Sequence, residues 1–422
     1  MNKKIKVFTA FSGYDSQMMA LNRVAERHKG QIEFELVGWS EIDKYAIKAH
    51  DLIFPGYKDR NFGDISLIDW NNVPDFDLFT YSSPCQDWSA AGLQRGGQEG
   101  SGTRSSLLWE CRKAIIAKRP KYLLLENVKA LVSKKFFPYF SKWCRELEGY
   151  GYYNYWKVMN AKDYGVPQNR ERMFLLSIRS DIDSGNFIFP KEFELTTFLK
   201  DVLEDNVAEK YYLRSAQVEK ILEHCDRKVK EGCGFREAFR TPEEMATKYG
   251  ARQTDTYVVE EVYGLGRTRD KKGKVVNRPI QPYVNCLHTG IGSHCWDNME
   301  VYAMEVVAGA VRGRHKGENG CVQTGGTTNT LTSVAKDNYI VEYKGRWVRI
   351  RQLTPKEAFR LMDVSDTDFD KLIVTEDAGG KQKRAISDSQ LYKMAGNSIV
   401  VSCMDLIFEN LFFPAKSEST LF

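Results

Sequence analysis

Long apolar runs are missing from this sequence. None of its 422 residues belongs to an apolar stretch of the roughly 20 positions that a membrane-spanning helix needs. The first residues, MNKKIKVFTAF, include lysines but neither the apolar core of a secretion signal nor a small-residue cleavage site. Internal repeats and low-complexity segments are also lacking. We therefore expect a globular protein of the cytoplasm that does not contact a membrane.

Cysteines are too scattered to indicate a disulfide framework. The nine cysteines of this long chain are more typical of a reducing compartment. Cys286, His288, His294 and Cys295 lie close together in the sequence, but they contain no C-x-x-C pair of the kind that usually binds zinc. We interpret them as ordinary loop residues and expect no metal site.

A strong charge of one sign is lacking as well. Lys and Arg total 61 against 56 for Asp and Glu, a formal net charge of +5. That excess identifies no partner, although it is compatible with nucleic acid if the basic residues cluster. They do cluster in GRTRDKKGK, from Gly266, and in RGRHKG, from Arg312. Each segment fits a solvated loop as well as a nucleic-acid contact.

Strand-like runs alternate with amphipathic helical stretches in the first part of the chain. The predicted strands are Ile5–Phe11, Phe34–Trp39, Phe76–Tyr81, Tyr122–Glu126, Tyr153–Met159 and Arg172–Ile178. The predicted helices are Gln17–Lys29, Asp43–Asp51, Ser105–Lys118 (with Leu107, Leu108, Cys111, Ile115 and Ile116 buried) and one near Phe137–Glu148. This alternation predicts an α/β fold with a doubly wound, mostly parallel sheet that binds ligands at the carboxyl ends of its strands.

The pattern changes after about Pro190, and the length predicts two or three domains. We assign residues 1–192 to the α/β domain. Residues 193–379 form a smaller, less regular domain that includes a hinge helix near 354–362. Residues 380–422 form a C-terminal segment, helical over Gln390–Phe413, that is apolar enough to pack back on the first domain.

A possible nucleoside site follows the first strands. Phe11–Gln17, FSGYDSQ, places a glycine at a strand-to-helix turn, where a ligand can approach the backbone closely. Glu41 follows the second strand, where an acidic residue commonly accepts ribose hydroxyls, and Asp64 lies in a later Gly-Asp-Ile. Each feature alone fits a tight turn or a helix cap. Together, in this order, they indicate a cofactor that contains a nucleoside.

Cys85 is the strongest candidate for a nucleophile. It lies in Tyr81–Ser89, YSSPCQDWS, at the carboxyl end of a buried-looking strand and before the glycine-rich segment Ala90–Gly102. An isolated cysteine is more often an inert core thiol. The position of Cys85, directly after Pro84 and at the edge of the sheet where chemistry is expected, favours reactivity.

Two further polar groups occur at strand ends. Glu126, in Leu123–Val128 (LLLENV), follows apolar positions, so burial should raise its pKa, although a helix cap would also place a carboxylate there. Gln168, Arg170 and Arg172 alternate at the head of a strand and should therefore share one face, although they could also be ordinary surface charge.

These motifs, in this order, resemble the cytosine-5 DNA methyltransferases of bacterial or phage type. The resemblance rests on FSGYDSQ, Glu41, GDI, SSPCQDWS, LLENV, QNRER and Ala395–Ser398 (AGNS), and it covers roughly residues 5–180 and 345–405. The sequences TTNTLTSVAKDNYIV, Thr327–Val341, and RQLTPKEAFRLM, Arg351–Met362, are similar to later parts of the same enzymes. The chain departs from the family at Asp15 and Asp363, where glycine is common.

The resemblance implies a Rossmann-like methyltransferase fold and a reaction. A methyl group would pass from S-adenosylmethionine, which becomes S-adenosylhomocysteine, to carbon 5 of a cytosine flipped out of duplex DNA. Cys85 would bond to C6, Glu126 would protonate N3, and Arg170 and Arg172 would hold O2 and the phosphate.

The resemblance also implies two groups of binding residues. The cofactor would be held by Phe11, Ser12, Gly13, Tyr14, Asp15, Glu41, Ile42, Asp64, Ile65, Pro84, Leu107, Asn397 and Ser398. The DNA would be contacted by Gln86, Ser89, Asn127, Gln168, Arg312, Arg314, Thr330 and Leu331, with the second domain reading the sequence.

The expected protein is a monomeric enzyme, and a cognate restriction endonuclease, where one exists, would act independently of it. Two alternatives stay open at the level of sequence. One is a cytosine-5 methyltransferase acting on transfer RNA, which the long, loop-rich middle domain argues against. The other is a catalytically inert DNA-binding paralogue, which the intact Pro-Cys-Gln and Glu-Asn-Val motifs argue against.

Overall fold

The computed structural model describes residues 2–84, 99–211, 353–376 and 382–414, together with short strands between 267 and 352 whose side chains are not described. Several predicted residues lie outside the described part of the chain: Cys85, Gln86, Ser89, Cys286, His288, His294, Cys295, Arg314, Thr330 and Leu331. Arg312 lies in a described strand, but its side chain is not described.

A six-stranded sheet forms the centre of the described part. Its strands are β1 (Lys3–Ala10), β2 (Ile32–Ser40), β3 (Leu78–Tyr81), β4 (Tyr122–Val128), β5 (Tyr152–Asn160) and β7 (Glu171–Arg179). They lie in the order β2-β1-β3-β4-β7-β5. The pairs among the first four are parallel, whereas β7 runs antiparallel to both of its neighbours. The predicted α/β fold with a mostly parallel sheet is confirmed.

Helices cover both faces of this sheet. They are α1 (Ser16–Arg27), α2 (Lys44–Ile53), α3 (Cys111–Lys118), α4 (Phe137–Gly149), α5 (Leu199–Val202), α6 (Pro355–Arg360), α7 (Asp366–Lys371), α8 (Asp388–Asn397) and α9 (Val401–Phe412). Alternate residues of β4 enter different clusters: Leu124 packs with α1, α2 and the C-terminal helices, whereas Leu123 and Leu125 pack with α3 and α4. This period of two is the expected signature of a sheet buried on both faces.

The C-terminal part of the chain belongs to the same core. Ala358 and Phe359 of α6 and Ile407 and Phe408 of α9 are fully buried in the cluster that contains α1. The sequence-based assignment put Ala358 and Phe359 in the second domain, but in the structure α6 packs against the α/β core. Arg27 of α1 forms ion pairs with Asp405 and Glu409 of α9.

Two predicted helices differ from their observed form. The stretch Ser105–Lys118 begins as a 3-10 turn, Arg104–Glu110, before α3, and Ile116 is exposed rather than buried. The C-terminal stretch breaks between α8 and α9, at Ser398–Val400. Asp388–Phe412 is long and apolar enough to cross a membrane, but 67% of its most apolar window is buried inside the fold, as in the core helix of a soluble protein.

The remaining described strands lie mostly within residues 193–379. A four-stranded antiparallel sheet contains β10 (Ala310–Arg312), β11 (Cys321–Gln323), β13 (Tyr339–Lys344) and β14 (Trp347–Gln352). The two-stranded sheets pair β8 (Arg267–Arg269) with β9 (Val275–Asn277), β6 (Gln168–Asn169) with β12 (Thr328–Asn329), and β15 (Val374–Glu376) with β16 (Gln382–Arg384). The β6–β12 pair joins the second region to the first.

Candidate active site

The loop after β1 has an unusual backbone. Phe11, Gly13 and Asp15 have φ values of 56°, 59° and 67°, in the left-handed region that favours glycine. Ser12, Tyr14 and Asp15 are buried, whereas Phe11 and Gly13 are partly exposed. Tyr14 packs against Phe359, with ring centroids 5.1 Å apart. A ligand at this loop would therefore meet Phe11 and the backbone rather than the side chains of Ser12, Tyr14 and Asp15.

Glu41 is fixed at the end of β2 by backbone donors. Its carboxylate accepts hydrogen bonds from the N–H groups of Gly13 at 3.0 Å, Ile42 at 2.7 Å and Asp43 at 2.8 Å. The bond to Gly13 joins the loops that follow β1 and β2. Ile42 beside it is 69% exposed, an unusual state for a large apolar side chain and one that suits an apolar ligand face.

The Gly-Asp-Ile segment lies next to Glu41. Asn61 joins them: its Oδ1 accepts from the Glu41 and Gly63 N–H groups. Asp64 uses Oδ1 to cap a short 3-10 turn through the backbone and hydroxyl of Ser66, and Ile65 is buried. Two of the predicted carboxylates thus border the same edge of the sheet.

The segment that precedes Cys85 is held by hydrogen bonds to its last two described residues, Ser83 and Pro84. Asn127 Nδ2 donates to the Ser83 carbonyl at 3.0 Å, and Ser105 Oγ donates to the Pro84 carbonyl at 2.7 Å. Asn127 is itself buried, so its observed task is to hold Ser83 rather than to reach outward. Asn127 follows Glu126 on β4, so the hydrogen bond to Ser83 lies one residue along the strand from Glu126.

Glu126 is a buried carboxyl beside an arginine. It is 8% exposed, and Arg172 Nε lies 3.2 Å from its Oε1. Burial raises the pKa of Glu126 above its ordinary value, while the charges of Arg172 and, next, Arg170 act in the opposite direction. The sequence-based expectation of a raised pKa at this position is confirmed.

The three alternating side chains of QNRER have different described contacts. Gln168, fully buried on β6, donates from Nε2 to the Leu361 carbonyl at 2.5 Å. Arg170, 2% exposed, donates from Nη2 to the carbonyls of Gly396 at 3.0 Å and Ser398 at 2.5 Å. The strand alternation is interrupted between β6 and β7, where the Arg170 N–H bonds back to the Gln168 carbonyl at 3.0 Å. Arg172 forms the ion pair with Glu126, and the charge of Arg170 also acts on this carboxyl group.

These contacts show a structural role for two of the predicted residues. Gln168 and Arg170 are predicted to hold DNA and the reacting base, and that remains a prediction; their described hydrogen bonds go to the backbone carbonyls of Leu361, Gly396 and Ser398. Both residues therefore join the α/β core to later parts of the chain. Sequence reasoning had no signal for their partners, which are more than 190 positions away along the chain.

Two predicted cofactor residues come from the C-terminal segment. Ser398, just after α8, donates from Oγ to the Ser16 hydroxyl at 3.2 Å, at the start of α1. Asn397 is exposed at the end of α8. Leu107 is partly buried against the cluster that contains α3 and α4. The structure thus brings Ser398 to the loop after β1, although it lies at the opposite end of the chain.

The α/β sheet carries Glu126 and Arg172, and the segment that precedes Cys85 is bonded to the same strand as Glu126. Together with the comparisons below, this arrangement indicates an enzyme of the methyltransferase class. A profile of the family described as C-5 cytosine-specific DNA methylase matches residues 5–412. The chain belongs to this family, and it is a DNA (cytosine-5-)-methyltransferase.

Particular relatives resemble it along nearly its whole length. Type II methyltransferase M2.ScrFI of Lactococcus lactis subsp. cremoris is 32% identical over 462 residues, covering 97% of this chain and 99% of that protein. Orphan methyltransferase M.SPRI of Bacillus phage SPR is 28% identical, covering 97% of each. The solved structure of a DNMT2 variant from Spodoptera frugiperda superposes with a TM-score of 0.55 at 15% identity, covering 97% of this chain and 99% of that one, which supports the fold.

Proposed function

We propose that this protein transfers a methyl group from S-adenosylmethionine to carbon 5 of a cytosine in duplex DNA, through a covalent bond between Cys85 and carbon 6. The main support is Glu126, a buried carboxyl with a raised pKa that lies on β4 beside the tethered entry to Cys85. A carboxyl group with a raised pKa holds its proton more firmly than an ordinary one and can act as a general acid.

In the proposed reaction, one proton moves between Glu126 and N3 and another passes from C5 to a base. The Cys85 thiolate adds to C6, and Glu126 gives its proton to N3, which neutralises the charge that the addition places on the ring. C5 would then have enamine character and could take the methyl group of S-adenosylmethionine, whose sulfur would keep the electrons of the broken S–CH3 bond and leave as neutral S-adenosylhomocysteine. A base removes the C5 proton, the C6–S bond breaks, and the proton on N3 returns to Glu126.

Arg172 is the arginine that we assign to the reacting base. Its Nε lies 3.2 Å from Glu126, and its Nη1 donates to the Glu171 carbonyl at 2.8 Å, so the guanidinium is oriented beside the acid. From there it can hold cytosine O2 or a phosphate oxygen through its other donors. Gln168 and Arg170 position the surrounding chain.

The residues at the ends of β1 and β2 fit a nucleoside cofactor. Glu41 presents a carboxylate already oriented by three backbone N–H groups, and the exposed Ile42 supplies an apolar face. We assign ribose recognition to Glu41 and adenine recognition to Asp64 and the side chains of Phe11, Ile42 and Ile65. S-adenosylmethionine would supply an electrophilic methyl group there.

We assign DNA recognition to the second region. The β6–β12 pair aligns Thr328 with Gln168 and Asn329 with Asn169, and Thr330 and Leu331 come next in the sequence. Arg312 ends β10 and leads into the basic segment RGRHKG. We further propose that the enzyme is a cytoplasmic monomer that needs no endonuclease subunit for activity.

One assay separates this proposal from its alternatives. Purified protein is incubated with tritiated S-adenosylmethionine and either duplex DNA or transfer RNA, and the modified base is identified by mass spectrometry. We expect label on DNA as 5-methylcytosine. Label only on transfer RNA would favour the RNA enzyme, and no label on either would favour the inert paralogue.

A further inference from the structure

The buried carboxylate of Asp15 holds the loop between β1 and α1. Asp15 has a φ of 67°, in the left-handed region, which aspartate adopts more readily than most residues. Because Phe11 is left-handed as well, the loop contains two non-glycine residues in a sparsely populated conformation. Such a backbone persists only where surrounding contacts determine it.

The Asp15 carboxylate provides those contacts. Its Oδ1 accepts the Met18 N–H at 3.1 Å and so caps α1, and its Oδ2 accepts the Thr9 hydroxyl at 2.9 Å. Thr9 Oγ1 also lies 3.0 Å from the Ser12 hydroxyl, which donates to the Thr9 carbonyl. The carboxylate therefore joins the end of β1, the loop and the first turn of α1.

A histidine from the next helix faces the same oxygen. His50 Nε2, on α2, lies 3.4 Å from Asp15 Oδ2, and both side chains are 0% exposed. The imidazole ring is stacked on Trp39, with centroids 3.7 Å apart and planes at 19°. Within the described part of the chain, neither ring nitrogen has a hydrogen-bond partner of good geometry, and Asp51, 3.8 Å from Nδ1, is the other carboxylate beside the ring.

We propose that Asp15 and His50 form a buried positioning pair that sets the shape of the cofactor site. The pair joins the loop after β1 to α2, and α2 directly follows the loop that carries Glu41. The Glu41 carboxylate also accepts a hydrogen bond from the Gly13 N–H, which is a second link between the loop after β1 and the chain that follows β2. This inference rests on the proposed binding of S-adenosylmethionine at these loops.

The pair should control affinity rather than chemistry. Neither side chain is exposed, so neither can touch a ligand or the reacting atoms. A looser loop would have to be ordered each time the cofactor binds, which weakens binding. Once the cofactor is bound, Cys85 and Glu126 are unaffected. Loss of the pair should raise Kd and KM for S-adenosylmethionine and leave kcat at saturation nearly unchanged.

Three substitutions test the pair by calorimetry and steady-state kinetics. Asp15→Gly keeps the left-handed backbone accessible but removes the carboxylate, and His50→Phe keeps an aromatic ring on Trp39 but removes the nitrogen that faces Asp15. Each should raise Kd by roughly five- to tenfold, the effect of losing about one buried polar contact. Asp15→Asn keeps a capping oxygen and the left-handed preference, so its Kd should stay within about threefold of the wild type.

The double variant and a matched control complete the test. In Asp15→Gly/His50→Phe the loss should be smaller than the product of the single losses, because each single change already removes the shared contact. Asp69→Gly removes a similar aspartate cap from an exposed 3-10 turn and should leave Kd unchanged. Circular dichroism checks folding, and His50→Gln replaces His50→Phe if the latter does not fold.

The possible failures are distinguishable. If the wild-type protein does not bind S-adenosylmethionine, the proposed function fails. If the wild type binds, but folded Asp15→Gly and His50→Phe bind equally well, the positioning pair is refuted. A fall in kcat without a change in Kd would also refute it.

Discussion

Arg172 Nε lies 3.2 Å from Glu126 Oε1, across the antiparallel pair of β4 and β7. The arginine charge lowers the pKa of this carboxyl group, but burial raises it by more, so the net direction is upward. The ion pair therefore reduces the upward shift of this pKa but does not cancel it. A carboxyl group that holds its proton more firmly than an ordinary one, and can still release it, is the proton donor that the proposed chemistry requires.

Glu126→Gln should stabilise the protein at neutral pH while it removes activity. Because the folded-state pKa is raised, ionisation of Glu126 destabilises the wild type by an amount that is absent below the ordinary carboxyl pKa, grows as pH rises from that value to the folded pKa, and is constant above it. Each unit of that pKa difference corresponds to about 1.4 kcal/mol. Urea unfolding from pH 4 to pH 8 should show the variant gaining stability relative to the wild type as pH rises.

The same variant should lose roughly 10²–10⁴-fold in turnover, the usual effect of removing a general acid. Glu171→Gln, which removes the more exposed carboxyl group next to Arg172 on β7, is the matched control and should keep its activity. A Glu126→Gln enzyme with nearly normal turnover would show that ring protonation is not the task of this residue.

Arg172→Gln should move the pH profile of turnover. Loss of the guanidinium charge lets burial raise the pKa of Glu126 further, so the acid stays protonated to higher pH and the basic limb of the kcat profile should shift upward. Turnover at its maximum should fall because a contact to the base is lost. Lys129→Gln removes an exposed charge that pairs with Glu171 instead, and its profile should match the wild type. An unshifted basic limb in Arg172→Gln would separate Arg172 from the acid.

Arg170→Met should act mainly on stability. Arg170 gives the carbonyls of Gly396 and Ser398 charge-assisted hydrogen bonds, and both acceptors belong to the segment that returns from the far end of the chain. Their loss leaves polar groups unsatisfied in a buried place, at a cost of about 2–4 kcal/mol. Chemical denaturation should show this loss, whereas Arg145→Met, at an exposed arginine of α4, should be nearly neutral. Equal stability of the two variants would contradict the assigned role.

The strand and helix order could be predicted from the sequence because it depends on local periodicity. The runs that became β1, β2 and β4 were recognised, as were α1 and α4, and so was the raised pKa of Glu126, which follows from the apolar residues before it. The break between α8 and α9 was missed because Ser398 and Ile399 do not interrupt the apolar pattern.

Contacts between distant parts of the chain could not be predicted. Asp15 and His50 are isolated polar residues in the sequence, and only the parallel pairing of β1 with β2 brings α2 beneath the loop after β1. Arg170 lies 226 positions from Gly396, and nothing in its alternation with Arg172 indicated that it would contact the backbone there. Sequence reasoning identified which residues are chemically special, but their division into chemical and positioning roles required the tertiary structure.

Cys85 offers the most direct test of the proposed reaction. With 5-fluorocytosine in the target site, the final step would require loss of a fluorine cation, which a base cannot assist. The reaction should therefore stop after methyl transfer as a covalent protein–DNA adduct that survives a denaturing gel. Peptide mass spectrometry should place the adduct on the fragment that contains Ser83, Pro84 and Cys85.

Cys85→Ser is the matched variant for this experiment. A hydroxyl is far less ionised than a thiol at neutral pH, so this variant should form no adduct and lose nearly all turnover. It should still bind DNA, because phosphate contacts rather than one thiol dominate affinity. The tether from Asn127 to Ser83 does not involve residue 85, so the entry to the loop should be preserved. An adduct on another of the nine cysteines, or one that persists in Cys85→Ser, would overturn the assignment of the nucleophile.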